Sequence, residues 1–331
     1  MTNYARVAAV TGANKGIGLA IVRNLALQYP GSALNTGPLI IYLTARDASR
    51  GEAALKTLES DDQLLNAKVL KAQGGPVSLA FKELDISKKE SIDAFAADLQ
   101  KDHGSIDVVI NNAGIAMEGF GACSPFIPTS SPPPAHNVAT TTLATNYHGT
   151  LHSTLSLLPL LKPSHSSRLI NVASIAGSLS KYPPSLADEF RAAARYPQSQ
   201  SSSQPPMTPN SPLAATAPAT ALMQVFTDGV RAGGTHAEKG FPSAAYAVSK
   251  AGVIAMTKAV AGWEAVVARE EGREARGVQA CCPGWVVTDM TKGKGVKSVD
   301  EGARTPVWLA LGKEGGEVVG GFWQGERVVE W

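Results

Sequence analysis

Val7-Ala8-Ala9-Val10-Thr11-Gly12-Ala13-Asn14-Lys15-Gly16-Ile17-Gly18 is the stretch that decides the fold. Its first four residues are an uninterrupted apolar run, the pattern of a strand buried on both faces. The glycines that follow permit a tight turn, and Ile17 to Tyr29 reads as a helix. A glycine turn between a strand and a helix lets a pyrophosphate approach the backbone where unpaired N–H groups and the helix dipole favour anions. A bare glycine cluster is equally an ordinary strand–helix turn, so the rest of the chain has to decide.

Outward from this unit the same alternation continues. Leu39 to Thr44, Val77 to Leu84 and Ile106 to Ile110 read as strands, with helical stretches at Ala48 to Glu59 and Ser87 to Lys101. Apolar strands separated by helices predict a parallel sheet covered on both faces, and right-handed crossovers make it doubly wound. The second half repeats the rhythm. A helix carrying Asn146 leads to a strand at Arg168 to Val172, and a long helix near Ser243 to Arg269 leads to a strand at Val278 to Cys282. A last helix near Val299 to Leu311 precedes a short Val318-to-Trp323 strand. The expected architecture is a single α/β domain of Rossmann type over residues 1–331.

Two segments break the rhythm. Gly119 to His136 is rich in Pro, Gly and Ser and reads as a loop. Ser178 to Gly240 is a long insertion before the helix at Ser243, with a low-complexity middle from Pro197 to Pro218 that is expected to be mobile, and flanks at Leu186–Tyr196 and Leu213–Val230 that can be helical.

Composition removes several classes of function. Thirty basic against twenty-eight acidic side chains leave a formal charge of +2, which gives no whole-chain basic footprint for nucleic acid. A hydrophobic fraction of 44% argues against a disordered chain. No apolar run reaches the roughly 18 residues of a membrane span. The chain enters its first strand at once, and its three cysteines form no disulfide framework. A cytoplasmic protein is expected, with no membrane and no nucleic-acid partner.

The sheet's C-terminal edge is where open α/β sheets bind ligands. The second strand ends in Arg46. An NAD site would place an acid there for the ribose 2′-hydroxyl, whereas an arginine suits a 2′-phosphate. Lys15 and Arg50 can converge on the same phosphate; the alternative is three solvated surface cations. Asp47 follows closely and keeps a dual-cofactor site open. Asp85, closing the third strand with Ile86, is placed for an adenine amine.

Tyr246-Ala247-Val248-Ser249-Lys250 sets a phenol and an ammonium four residues apart, on one helix face. A nearby cation favours the phenolate and tunes the phenol as a proton donor towards neutral pH. Such a pair is common by chance on exposed helices. Ser174, at the end of Leu169-Ile170-Asn171-Val172-Ala173-Ser174, and Asn111-Asn112-Ala113-Gly114 both fall at the sheet's ligand-binding edge, though each alone is compatible with turn chemistry.

Taken together, these residues identify the chain as similar to the short-chain dehydrogenase/reductase family, and within it to the carbonyl reductases that use NADPH. The resemblance rests on Thr11 to Gly18, Leu43 to Arg46, Leu84 to Ile86, Asn111 to Gly114, Asn146, Ser174, Tyr246 to Lys250, and Pro283-Gly284 with Thr288. More particular to carbonyl reductases are Asn14 to Arg23, Phe241 to Tyr246, Ala280 to Val286 and the closing Arg327 to Trp331. It runs through nearly the whole chain and fails only in the Gly119 and Ser178 insertions.

The resemblance implies a hydride from NADPH to a ketone, aldehyde or quinone, with Tyr246 giving the proton, Ser174 hydrogen-bonding the carbonyl oxygen, and Lys250 holding the ribose hydroxyls. Asn146 would anchor a water that relays protons to Lys250. Gly12, Asn14, Lys15, Gly16, Ile17 and Gly18 would cradle the phosphates, and Arg46 and Arg50 the 2′-phosphate. Asp85 and Ile86 would face the adenine, with Asn112, Gly114, Pro283, Val286 and Thr288 around the nicotinamide. It also implies a monomer, because carbonyl reductases of this kind carry an added helical segment over the surface through which other relatives associate.

His148 and His152 have ligand-like i, i+4 spacing but no accompanying Glu or Cys set, so no metal is assigned. Cys282 is a candidate for modification from the pocket, with buried packing as the alternative. Trp285 and Met290 are placed to line the pocket, or to pack in the core. Two other functions stay on the table. One is a specialised ketoreductase or alcohol dehydrogenase of the same family; the other is a catalytically silent NADP-binding regulator, which would need the glycine turn but not Ser174, Tyr246 and Lys250.

Overall fold

All seven residues of Leu39–Ala45 (β2) are buried, as a strand covered by helices on both faces requires. The computed structural model describes residues 4–117, 134–196, 211–313 and 318–331. Around β2 lie Arg6–Val10 (β1), Val77–Glu83 (β3), Val108–Asn111 (β4), Arg168–Val172 (β5), Gly277–Cys281 (β6), Phe322–Gln324 (β7) and Arg327–Val328 (β8). They form one sheet in the order β3-β2-β1-β4-β5-β6-β7-β8. Every pairing is parallel except β7 with β8, a hairpin turned at Gly325 and Glu326, both at positive φ. Strand order reverses between β1 and β4, which opens a crevice at their C-terminal ends.

The helices are Gly16–Gln28 (α1), Ala48–Glu59 (α2), Asp62–Ala67 (α3), Lys89–His103 (α4), His136–Leu143 (α5), Thr150–Leu157 (α6), Pro184–Ala193 (α7), Pro212–Arg231 (α8), Ala245–Glu270 (α9) and Val299–Ala310 (α10). Local chemistry fixes several starts. Asp47 caps α2, Asp61 caps α3, and Ser298 with Glu301 forms a reciprocal capping box on α10. α1 and α10 pack on one sheet face with a core that includes Ile21, Leu25, Ile41, Leu43 and Val307. α7 and α8, from the insertion, pack on α9 through Phe190, Met223, Phe226 and Val253.

The structure amends several sequence expectations. The last strand begins at Phe322 rather than Val318, because Gly320 turns at φ 63° and the Val318 carbonyl accepts from the Gln279 side chain. The short helix α3 and strand β8 were not anticipated. Of the low-complexity segment, residues 197–210 lie outside the described residues, but Pro212 to Pro218 open α8. Ser211 caps it by accepting from the Ala214 N–H at 3.2 Å, Pro212 sits at the first helical position, and an alanine-rich run follows. Most of the Gly119–His136 segment is likewise outside the described residues, and His136 begins α5. Contrary to the expectation that no stretch is apolar enough, α9 has the length and mean hydropathy (1.3) of a membrane span; most of it is buried inside the protein, the pattern of a core helix.

Three histidines carry a pH dependence. Burial holds the imidazoles of His103, His148 and His236 below their usual range. A depressed folded-state value means that the unfolded chain takes up more protons, so stability is complete above about pH 6.5 and falls as pH drops from there towards the folded values. Tm is expected to be lower at about pH 5 than at about pH 7.5, by roughly 1–2 °C for each kcal/mol lost at this chain length. A flat Tm over that interval would contradict the assignment.

Candidate active site

The glycine turn is built by backbone conformations and close approaches that a side chain would block. Gly12 and Gly16 take φ of 61° and 56°. A Cβ at Gly18 would lie 2.3 Å from the Gly12 carbonyl oxygen and 2.6 Å from Asn112 Nδ2. The turn is stapled to the end of β4. Thr11 Oγ1 accepts from the N–H groups of Asn112 and Ala113, both at 3.0 Å, and Asn112 Nδ2 donates to the carbonyls of Thr11 (3.0 Å) and Gly12 (3.1 Å).

Residues here fit a dinucleotide phosphate. Lys15 stands at the N-cap of α1 in extended conformation with no capping side chain, and the first turn holds no acid, so the helix's leading N–H groups face an open cradle. Arg46 and Arg50 are exposed, and among the described residues no hydrogen bond or ion pair engages either guanidinium. Arg46 lies close enough to Asp85 to help stabilise its carboxylate. Burial alone would raise the Asp85 carboxyl, but the Ser87 hydroxyl and N–H, with Lys88 and Arg46, outweigh it and hold it low.

Two charged groups of this region are committed elsewhere. Asp47 accepts from the Ser49 hydroxyl at 2.7 Å and the Arg50 N–H at 2.9 Å as the cap of α2. Lys15 Nζ lies 2.6 Å from Asp289, an exposed ion pair across to the loop after β6.

The proton-handling groups meet at the C-terminal edge of β4 and β5. Lys250 is 5% exposed; its Nζ donates to the Val172 carbonyl at 2.8 Å and lies 5.8 Å from the centroid of the Tyr246 ring. A Cβ at Gly114 would lie 3.2 Å from Asn146 Oδ1 and 3.6 Å from Lys250 Nζ, which places these three side by side.

Asn146 sits in a π-helical turn, Ala144–Gly149, that joins α5 to α6 without a break. Such turns widen a helix and are frequent at functional sites. Asn146 pairs reciprocally with the Ile115 backbone at 2.8 Å in both directions and donates to Ser249 Oγ at 3.1 Å. Ser249 in turn donates to the Tyr246 carbonyl at 2.7 Å.

Ser174 caps a single 3₁₀ turn, Ile175–Gly177, its Oγ accepting from the Ala176 N–H at 3.2 Å. That bond uses a lone pair and leaves the hydroxyl proton free to donate to an incoming carbonyl. The turn lies flat against α9, since a Cβ at Gly177 would meet the Ala251 N at 2.5 Å and the Lys250 carbonyl carbon at 2.6 Å. Tyr246 shares a small apolar cluster with Ala176, Ala244 and Ala247, against which Ala116 and Met290 pack.

The loop after β6 closes the opposite side. Gly284 is at φ 87°, Val286 is buried, and the Val286 carbonyl accepts from Thr291 Oγ1 at 2.8 Å. Thr288 comes within 3.6 Å of where a Cβ of Gly16 would stand, and a Cβ at Gly302 would lie 3.5 Å from Ile17 and 2.6 Å from Val286. On the far side Ile86 is buried, its carbonyl oxygen 2.3 Å from where a Cβ of Gly149 would stand. Asn14 and Pro283 lie in the turn and the loop themselves.

Of its two readings, modifiable thiol or buried packing, Cys282 has the packed one in the structure. It is 1% exposed, burial pushes its thiol up, and Sγ accepts from the N–H groups of Ile175 (3.2 Å) and Gly284 (3.3 Å). A buried thiol of raised pKa is a poor nucleophile, and here its sulfur ties two loops together. His148 lies edge-on to Tyr147 and His152 contacts Asp93, and the described residues hold no cluster of three or more His, Cys, Asp or Glu side chains. The π turn, the Ser249 link and the Lys15–Asp289 pair were not foreseen; a polar Asn146 in mid-helix, three residues before Gly149, was the local signal for the first.

Residues 6–185 match the family described as short chain dehydrogenase. The chain is 35% identical to carbonyl reductase (NADPH) 1 of Homo sapiens over 336 residues, covering 100% of this chain and 99% of that protein. It is also 35% identical to carbonyl reductase (NADPH) 3 of Rattus norvegicus over 317 residues, 94% of this chain and 92% of that one. Among solved structures, the fold matches salutaridine reductase from Papaver somniferum with a TM-score of 0.68 at 24% identity, over 96% of this chain and 99% of that one. Menthone neomenthol reductase from Mentha piperita matches with a TM-score of 0.63 at 25% identity, over 96% and 97%.

Proposed function

The chain belongs to the short chain dehydrogenase family, and from that premise we propose that it is an NADPH-dependent carbonyl reductase, turning ketones, aldehydes or quinones into alcohols. The observation that carries this reading is the meeting of Lys250 Nζ, the Tyr246 ring and Asn146 beside Gly114, with the Ser174 turn laid against Lys250. NADPH, when bound, supplies a hydride to the carbonyl carbon. Tyr246 gives its phenolic proton to the oxygen as negative charge grows there, and Ser174 donates a hydrogen bond to that same oxygen.

Lys250 holds positive charge against the phenol and so favours loss of its proton, while the Val172 carbonyl fixes the amine's position. Asn146, locked by Ile115 and Ser249, keeps α9 and the loop after β4 in register and lies beside the amine that would receive a proton back from solvent. The glycine turn with the α1 N-terminus holds the pyrophosphate, Arg46 and Arg50 the 2′-phosphate, Asp85 and Ile86 the adenine, and Asn112, Pro283, Val286 and Thr288 the nicotinamide end. Carbonyl-dependent oxidation of NADPH across a panel of ketones, aldehydes and quinones tests the reading, and turnover with none of them would sink it.

The whole chain acts as one domain, and it works as a cytoplasmic monomer. In support, the inserted α8 covers α5 and α9. Tyr147 Oη meets Thr220 Oγ1 at 2.9 Å, and Met223 Sδ packs so closely on Gly252 that a Cβ there would be 2.7 Å away. A surface already filled this way has no room for a second copy. A single species near 34.4 kDa is expected by sedimentation at micromolar concentration, and a dimer there would overturn the monomer.

A further inference from the structure

We propose that Trp331 is a positioning residue for Ser174, acting through the 3₁₀ turn that Ser174 caps. This inference rests on the carbonyl-reductase reading. Trp331 is 9% exposed, and its indole Nε1 donates to the Gly177 carbonyl at 2.9 Å. Gly177 is the last residue of the turn that Ser174 caps. The turn therefore has one side-chain bond from its own cap and two ties from outside. The Ser174 hydroxyl accepts from Ala176, the Ile175 N–H donates to Cys282 Sγ, and the Gly177 carbonyl accepts from Trp331.

A one-turn 3₁₀ helix has too few internal bonds to hold its own geometry, so outside ties decide where its cap residue points. The indole ring is itself held edge-on by Phe190 of α7, centroids 6.3 Å apart, and Phe190 meets Phe241 and Tyr182 in the same way at 6.2 Å and 5.2 Å. Trp331 thus joins the inserted helix to the serine turn. On the other side of that turn stands the backbone of Lys250 and Ala251, so slack at Gly177 is slack between the serine hydroxyl and the phenol.

The test is a double-mutant cycle. Trp331→Phe keeps an aromatic ring and removes the N–H. It is expected to lower kcat by about tenfold, the scale that a small misplacement of a reacting group costs, with the dissociation constant for NADPH unchanged. In a Ser174→Ala background the same substitution is expected to have no further effect on kcat. An equal loss in both backgrounds, or a loss confined to NADPH binding, would overturn the inference. If Trp331→Phe does not fold, Cys282→Ala removes another tie of the same turn and is read in the same cycle. Should Ser174→Ala alone leave carbonyl reduction intact, the functional reading fails instead, so the two failures are distinguishable.

Discussion

Tyr246→Phe is expected to lower kcat for carbonyl reduction by about 10³-fold, within the range a positioned proton donor contributes, while NADPH still binds. Phenylalanine keeps the ring that shares an apolar cluster with Ala176 and Ala247 and loses only the hydroxyl, so the pocket should survive. What disappears is the donor to the oxygen that becomes the alcohol. Ser174 can still lend a hydrogen bond, but an aliphatic hydroxyl is a far weaker acid than a phenol with Lys250 Nζ 5.8 Å from its ring. Stopped-flow binding of NADPH followed by steady-state turnover with a good carbonyl substrate separates the two effects. Unchanged turnover would remove Tyr246 from the reaction and overturn its assignment as the proton donor.

Arg46→Ala is expected to raise KM for NADPH by roughly 10- to 100-fold, the equivalent of one or two charge-assisted hydrogen bonds, and to leave KM for NADH nearly unchanged. The guanidinium stands at the end of β2, near Asp85, where a ribose 2′-substituent would fall. Its removal does not convert the site to NADH, because Asp47 is already occupied by the Ser49 hydroxyl and the Arg50 N–H. Equal losses with both cofactors would place Arg46 outside the 2′-phosphate site. The result also speaks to Lys15: with its amine 2.6 Å from Asp289, it is expected to contribute less than Arg46 to the discrimination.

How much of this was legible beforehand differs by scale. Strand and helix alternation from Val7 to Arg269 followed from continuous apolar runs, because a strand buried on both faces has no polar side to show. α2 was read over Ala48–Glu59 from its amphipathic pattern, as the structure has it, while Asp47, read as an acid near the cofactor ribose, is in the structure the cap of that helix. Failures came where local pattern is silent. Val318 to Gly321 looks like the start of a strand, yet glycine conformations postpone pairing to Phe322. Pro212 to Pro218 looks like low-complexity chain, yet a Ser-Pro start and alanines open a helix that α9 then buries.

The amino-acid order by itself determined the doubly wound class, the glycine turn with its anion-seeking helix start, and the pairing of a phenol with an amine one helical turn away. These follow from periodicity and from residue types whose geometry is intrinsic. Only the tertiary structure decided which distant polar groups pair: Lys15 with Asp289, the Cys282 sulfur with the Ile175 N–H, Asn146 with Ile115 and Ser249. Those partners lie up to 274 residues apart in the chain, and a hydrogen bond between distant segments leaves no mark in either segment alone.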